Sequence, residues 1–173
     1  MKCGIADVGS NTIRLSIYRW EGTQFKLLLN KKVMAGLAGY IKDGALSDSG
    51  ILVACRTLAG FRALLDNFGL HDLYVFGTAS LRNIVNTEDA VQTIREVTGL
   101  TVEVLSGADE AALSFQGAAA GGGASSGLLT DIGGGSTELV AYDGGRISSG
   151  CSLPMGSLSL YTRYVAGLFP TRE

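Results

Sequence analysis

Hydrophobic and polar positions change period several times along the chain, and each change marks an element. Residues 3–7 (CGIAD) form a short apolar run that ends in Asp. Residues 13–20 alternate Ile13, Leu15 and Ile17 against Arg14 and Ser16, as a half-buried strand does, and 25–33 supplies a third strand. Glu21-Gly22-Thr23 is a tight turn between the second and third, so the opening reads as an antiparallel meander. From 47 to 68 the period lengthens: Ile51, Cys55, Leu58, Phe61, Leu65 and Phe68 recur every three or four positions. That spacing predicts a helix with Ser47 as its N-cap and Gly69 just past its end. A strand at 73–76, a helix at 87–97 opened by Thr87-Glu88-Asp89, a strand at 102–105 and a helix from about Ala108 complete an order βββαβαβα.

After a Gly/Ala/Ser connector at 121–127, the opening pattern returns. An apolar strand at 128–131 ends in Asp131-Ile132-Gly133, as the first ended in Asp7-Val8-Gly9. An alternating strand at 137–142, a turn at Asp143-Gly144-Gly145, a strand at 146–153 and a helix at 157–165 follow, before Phe169-Pro170-Thr171-Arg172-Glu173. The second copy is about half as long as the first. The chain therefore reads as a complete domain, 1–120, and the beginning of a duplicated one, 128–173. An incomplete sheet with an open edge predicts association of 128–173 with another copy, a homo-oligomer.

Composition narrows the partners. With 14 basic and 16 acidic side chains the net charge is −2, and the pI is about 5.4, which argues against binding nucleic acid through its phosphates. Glycine is enriched, at 25 of 173 residues, about twice the usual ~7%. Cys3, Cys55 and Cys151 form no CxxC pair, are odd in number and lie in apolar stretches, where a thiol behaves as a small hydrophobe, so they read as reduced thiols without a metal cage. The first apolar run is broken by Asp7 and lacks a cleavage region, which excludes a signal peptide and makes the cytoplasm the expected compartment. No charge occurs over 111–130, but Gly117, Gly121, Gly122, Gly123 and Gly127 make that stretch a poor membrane span.

The two glycine turns carry the candidate chemistry. Gly9-Ser10-Asn11 and Gly133-Gly134-Gly135-Ser136 each follow a strand that ends in Asp. Consecutive small residues let backbone N–H groups converge on a phosphate oxygen. Asp7 and Asp131 can hold a divalent cation directly or through water, since Mg²⁺ keeps several waters and takes few carboxylates. Taken singly, either turn reads equally well as an ordinary hairpin; their equivalent places in a duplication favour the phosphate reading. Neither is a Walker A loop, and no GxGxxG opens a helix. Arg82 follows an apolar strand and the Gly77-Thr78-Ala79 turn, and its planar fork suits bidentate phosphate binding, although an exposed arginine at a helix start is the plain alternative. His71 reads as a solvated loop residue, and Tyr18, Trp20 and Tyr40 as packing residues.

These segments resemble the exopolyphosphatase and guanosine pentaphosphate phosphohydrolase (Ppx/GppA) family of the acetate kinase, sugar kinase, Hsp70 and actin superfamily. MKCGIADVGSNTIRL is similar to its first phosphate loop and LLTDIGGGSTELV to its second. Residues 77–86 (GTASLRNIVN) resemble its GTAxLRxAxN block, 105–111 (LSGADEA) its ISGxEEA block, and 152–156 (SLPMG) its SLPxG turn. Asp109 stands where the family usually has the first Glu of the pair, and Ile84 where it usually has Ala.

The resemblance implies an RNase H-like (actin-like ATPase) α/β domain followed by its duplicate, with a phosphate tail lying in the cleft between the two loops. It implies that Glu110, the second acid of the pair, handles the attacking water, that Asp131 and Glu138 are the cation-side carboxylates, and that Arg82 and the loops hold phosphate. An odd separation on an uninterrupted strand would put Asp131 and Glu138 on opposite faces, but the GGGS turn resets the count, so both can reach one ion. An acidic first-turn residue favoured by the helix dipole is the plain reading of Glu110, and an exposed strand carboxylate that of Glu138. The implied activity is Mg²⁺-dependent removal of a terminal phosphate from polyphosphate or guanosine pentaphosphate. A superfamily kinase or ATPase, and a phosphate or alarmone sensor without catalysis, are the competing readings.

Overall fold

The computed structural model describes residues 1–22 and 24–170. Thr23 of the predicted first turn and the terminal Thr171, Arg172 and Glu173 lie outside the described residues. The chain divides into two compact units, Met1–Val104 and a second that begins at Leu105.

The first unit is built on a five-stranded sheet of order β3-β2-β1-β6-β7. Strands β1 (Lys2–Val8), β2 (Thr12–Glu21) and β3 (Gln24–Met34) form the predicted antiparallel meander. β6 (Leu73–Gly77) pairs parallel with β1, and β7 (Val102–Val104) parallel with β6. Val8 opposite Ile13, Ala6 opposite Leu15 and Gly4 opposite Ile17 make one apolar face, all of it buried. Helix α1 (Asp48–Asn67) covers that face so closely that a Cβ on Gly4 would sit 2.9 Å from a Leu65 methyl.

Ser47 accepts the Gly50 N–H at the start of α1. At its end, Gly69 (φ 64) lets Gly69 N–H reach Asp66 O and Leu70 N–H reach Leu65 O, a Schellman stop. Helix α3 (Thr87–Thr98) packs on α1 through Ala90 and Ile94.

Three small elements escaped the periodic pattern because each is shorter than one period can reveal: a 3-10 turn (Leu37–Tyr40), a hairpin of β4 (Ile41–Lys42) and β5 (Ala45–Leu46), and the one-turn helix α2 (Ala79–Arg82). The hairpin turns on Asp43 (φ 50) and Gly44 (φ 78), the left-handed pair that a two-residue hairpin demands. Asn86 clasps it from α3, accepting Leu46 N–H and donating to Leu46 O, both at 2.9 Å.

In the second unit, β8 (Gly127–Ile132), β9 (Thr137–Asp143) and β10 (Arg146–Leu153) form an antiparallel sheet of order β10-β9-β8. Helix α4 (Gly107–Ala119) packs on β9 and β10, burying Ala111 and Phe115 against Val140, with the Phe115 and Tyr142 rings 5.0 Å apart. Helix α5 (Ser157–Tyr164) follows and buries none of its residues. The division into compact units falls at Val104/Leu105, whereas the sequence reading carries the first domain to 120. α4, placed by the sequence at the end of the first domain, shares its apolar side with the second sheet. No helix among the described residues is long and apolar enough to cross a membrane.

Candidate active site

The two glycine loops repeat one another at atomic detail. Gly9 N–H donates to Thr12 O at 3.1 Å, and Gly133 N–H donates to Ser136 O at 2.9 Å. A Cβ on either glycine would lie 3.0 Å or 3.2 Å from that same acceptor, so each turn closes tightly only around glycine. In the first loop, Ser10 O and Asn11 O accept from Ala38 and Gly36 N–H. In the second, Gly133 O accepts from the N–H and the hydroxyl of Ser157, and Gly134 O from Leu158 and Ser159 N–H.

The carbonyls are therefore turned to neighbouring backbone. Among the described residues, none of the hydrogen bonds of the second loop is donated by the N–H groups of Gly134, Gly135 or Ser136. Those three donors make a ready anion nest. Gly156 locks the arrangement: a Cβ there would fall 2.5 Å from Gly134 C and 2.6 Å from Gly135 N.

Beside this nest, three strands carry a single row of polar side chains. Asp131 on β8 faces Glu138 on β9, and Glu138 faces Ser152 on β10. Direct partners in an antiparallel sheet share a face, with Cβ atoms about 5 Å apart. Glu138 is only 2% exposed and accepts the Ser152 hydroxyl at 2.7 Å, the partner a buried carboxylate requires. Asp131, on the outer strand, is exposed and accepts the Ser114 hydroxyl at 2.8 Å.

Helix α4 runs over this row. Its first residue, Gly107, meets β10 at Ser152, where a Cβ would lie 2.7 Å from the serine Cβ, and Ser114 meets β8 at Asp131. Glu110, half-buried in the first turn, lies on the same side of the helix between those two contacts. Ser106 caps the helix by accepting Asp109 N–H at 3.1 Å, and its hydroxyl donates to the Asp109 carboxylate at 2.6 Å. Asp109 is thereby occupied in capping the helix, and Glu110 is the next residue of the same first turn.

In the first unit, Asp7 stands opposite Arg14 on β2 and Phe76 on β6, with its Oδ1 atom buried. Arg82 closes α2 and is half-buried. That short helix is fastened to the loop-bearing strand by the buried Ser80 hydroxyl, which donates to Val8 O at 2.7 Å. Gly77 is required before it, because a Cβ would meet Leu81 at 2.8 Å.

The structure thus brings Glu110, Asp131, Glu138 and the 133–136 loop together in the second unit, and Asp7, Arg82 and the 9–11 loop in the first. Ser114 enters the site without a signal in the sequence, where a mid-helix serine carries no pattern of its own, whereas Ser152 opens the 152–156 block that resembles the family turn, with no role implied for it there. His71 is exposed, as expected of a loop residue.

Among the described residues no three His, Cys, Asp or Glu side chains are grouped as a metal cage. Two carboxylates in one row, each with an oxygen already taken by a hydroxyl, fit a hard cation that keeps most of its water, as Mg²⁺ does. They do not fit a closed all-protein site such as structural zinc uses.

The sequence model of the Ppx/GppA phosphatase family matches residues 16–173. Among solved structures, the chain is similar to an exopolyphosphatase from Cytophaga hutchinsonii, at 29% identity and a TM-score of 0.86 over 96% of this chain and 55% of that one. It is similar to the Aquifex aeolicus member of the Ppx/GppA family at 25% identity and a TM-score of 0.80, over 99% of this chain and 56% of that one. The ethanolamine utilization protein EutJ from Carboxydothermus hydrogenoformans, 20% identical with a TM-score of 0.54 over 95% of this chain and 57% of that one, shares the fold. The chain spans little more than half the length of these structures.

Proposed function

We propose, from the premise that the chain belongs to the Ppx/GppA phosphatase family, that it hydrolyses the terminal phosphoanhydride bond of inorganic polyphosphate or of guanosine pentaphosphate. The observation that carries this reading is the Asp131–Glu138–Ser152 row lying under the first turn of α4, next to three loop N–H groups that donate to nothing in the loop. The nest at Gly134, Gly135 and Ser136 takes the non-bridging oxygens of a terminal phosphate. In the first unit, the Arg82 fork suits bidentate contact with phosphate oxygens.

Glu110 orients a water and accepts its proton as the water oxygen bonds to phosphorus. The bridging P–O bond breaks in the same displacement, and its electron pair leaves with the shortened phosphate chain. Asp131 and Glu138 would hold Mg²⁺, which when bound would supply charge stabilisation for the transferring phosphoryl group. The test is phosphate release from polyphosphate, guanosine pentaphosphate and ATP, each with and without Mg²⁺. Release from either of the first two that requires Mg²⁺ is expected. Turnover confined to ATP would mark a kinase-like ATPase, and binding without release a sensor; either result overturns the proposal.

A further inference from the structure

Each of the two carboxylates in the row has one oxygen engaged by a serine hydroxyl, Oδ2 of Asp131 by Ser114 and Oε1 of Glu138 by Ser152. The two serines reach the row from different elements. Ser152 belongs to the sheet itself, as the cross-strand neighbour of Glu138. Ser114 belongs to α4, one turn beyond Glu110.

Asp131 needs such a partner more than Glu138 does. Glu138 is enclosed by the sheet and the helix at 2% exposure, whereas Asp131 is exposed at the outer strand, where no packing restrains its rotamer. The Ser114 hydroxyl is the hydrogen bond given to its carboxylate from outside the sheet, and it comes from the helix that carries Glu110.

We infer that Ser114 is a positioning residue for the cation. By engaging Oδ2 it restrains the rotamer of Asp131, the cross-strand partner of Glu138, and it ties that carboxylate to the same helix as Glu110. The distance from cation to general base is then set by one helical turn of α4 rather than by a free side chain. This inference rests on the proposed Mg²⁺-dependent reaction, so its test includes binding of a cation in the absence of substrate.

Mn²⁺, a paramagnetic stand-in for Mg²⁺, is titrated into the full chain and followed by electron paramagnetic resonance. Wild type is compared with Ser114→Ala, Ser114→Thr and Asp131→Asn, alongside the thermal midpoint of each and the Mg²⁺ dependence of phosphate release. Loss of a side chain that orients a metal ligand typically weakens metal binding about 10-fold or more. Ser114→Ala is expected to raise the Mn²⁺ dissociation constant and the half-saturating Mg²⁺ concentration together by about that factor, with KM for the phosphate substrate unchanged. Ser114→Thr, which keeps the hydroxyl, is expected to restore both.

If Ser114→Ala binds Mn²⁺ as tightly as wild type while Asp131→Asn does not, the positioning role is wrong and the Mg²⁺ site stands. If Ser114→Ala and Ser114→Thr are equally impaired, the effect is one of helix packing and the inference is likewise overturned. If wild type binds no Mn²⁺ at all, the inference and the Mg²⁺-dependent reading fall together.

Discussion

Asp131 and Glu138 are direct cross-strand partners, although the whole 133–136 loop lies between them in the chain. The hairpin thus does two jobs with one turn. Its backbone N–H groups form the anion nest, and its flanking strands set two carboxylates side by side at the rim. In the proposed reaction one turn would serve both cation and phosphate, so neither would shift without the other. In-line phosphoryl transfer requires that rigidity, because most of the catalysis lies in placement.

Glu110→Gln keeps the shape of the side chain and removes its capacity to take a proton. Phosphate release is expected to fall by ~10²–10⁴, the usual worth of a general base, while binding of the phosphate chain is retained. Single-turnover release and equilibrium binding measured on the same preparation check this, and a rate near that of wild type would remove Glu110 from its role.

Gly156→Ala places a methyl group inside 2.7 Å of three loop atoms. The loop or α5 must move, at a cost of about 1–3 kcal/mol in a well-packed site, and phosphate affinity should fall with stability. Gly150→Ala is the control, since its Cβ would meet nothing nearer than 3.7 Å. Urea midpoints together with titration by pyrophosphate separate the two variants.

Arg82→Lys conserves charge and loses the fork. Loss of one charge-assisted hydrogen bond is worth about 1.5–3 kcal/mol, so KM for either phosphate substrate is expected to rise roughly tenfold or more. An unchanged KM and kcat would show that Arg82 holds no phosphate.

Cys55 is 2% exposed on the buried side of α1, and burial pushes its thiol above the ordinary value. In the unfolded chain the thiol ionises first, so the unfolded state binds fewer protons at alkaline pH, and stability declines as pH rises past the ordinary thiol range. Cys55→Ala should flatten that alkaline decline in denaturation midpoints measured across the range. Iodoacetamide at neutral pH should label the exposed Cys151, and Cys55 only after denaturant is added.

Where a run of residues was long enough to show its period, the sequence disclosed the element almost to its ends. The meander, α1 with Ser47 and Gly69 at its limits, and the second meander are the clear cases. Asp43-Gly44 was a readable hairpin turn, but the strands on either side of it are two residues each and display no alternation. The packing of α4 was hidden for a related reason. Its apolar residues announce a helix and do not say which of two sheets Phe115 will meet. The glycine loops were picked out by local motifs and Glu110 by the family resemblance, whereas the bonds of Ser114 and Ser152 exist only once strands and helix are assembled, because each reaches a carboxylate distant in the chain.

The carbonyls of Gly133 and Gly134 are satisfied by the first turn of α5, which is made later than the loop itself. On the ribosome the second glycine loop therefore emerges before the residues that give it its shape. Until Gly156 and Ser157–Ser159 have left the exit tunnel, the loop has no fixed direction for its N–H groups and cannot grip an anion. Under the proposed function, phosphate binding by this unit would be acquired only when a few residues beyond the Ser152–Gly156 turn are released, and a chain stalled short of that point would carry the loop sequence without the bonds that shape it.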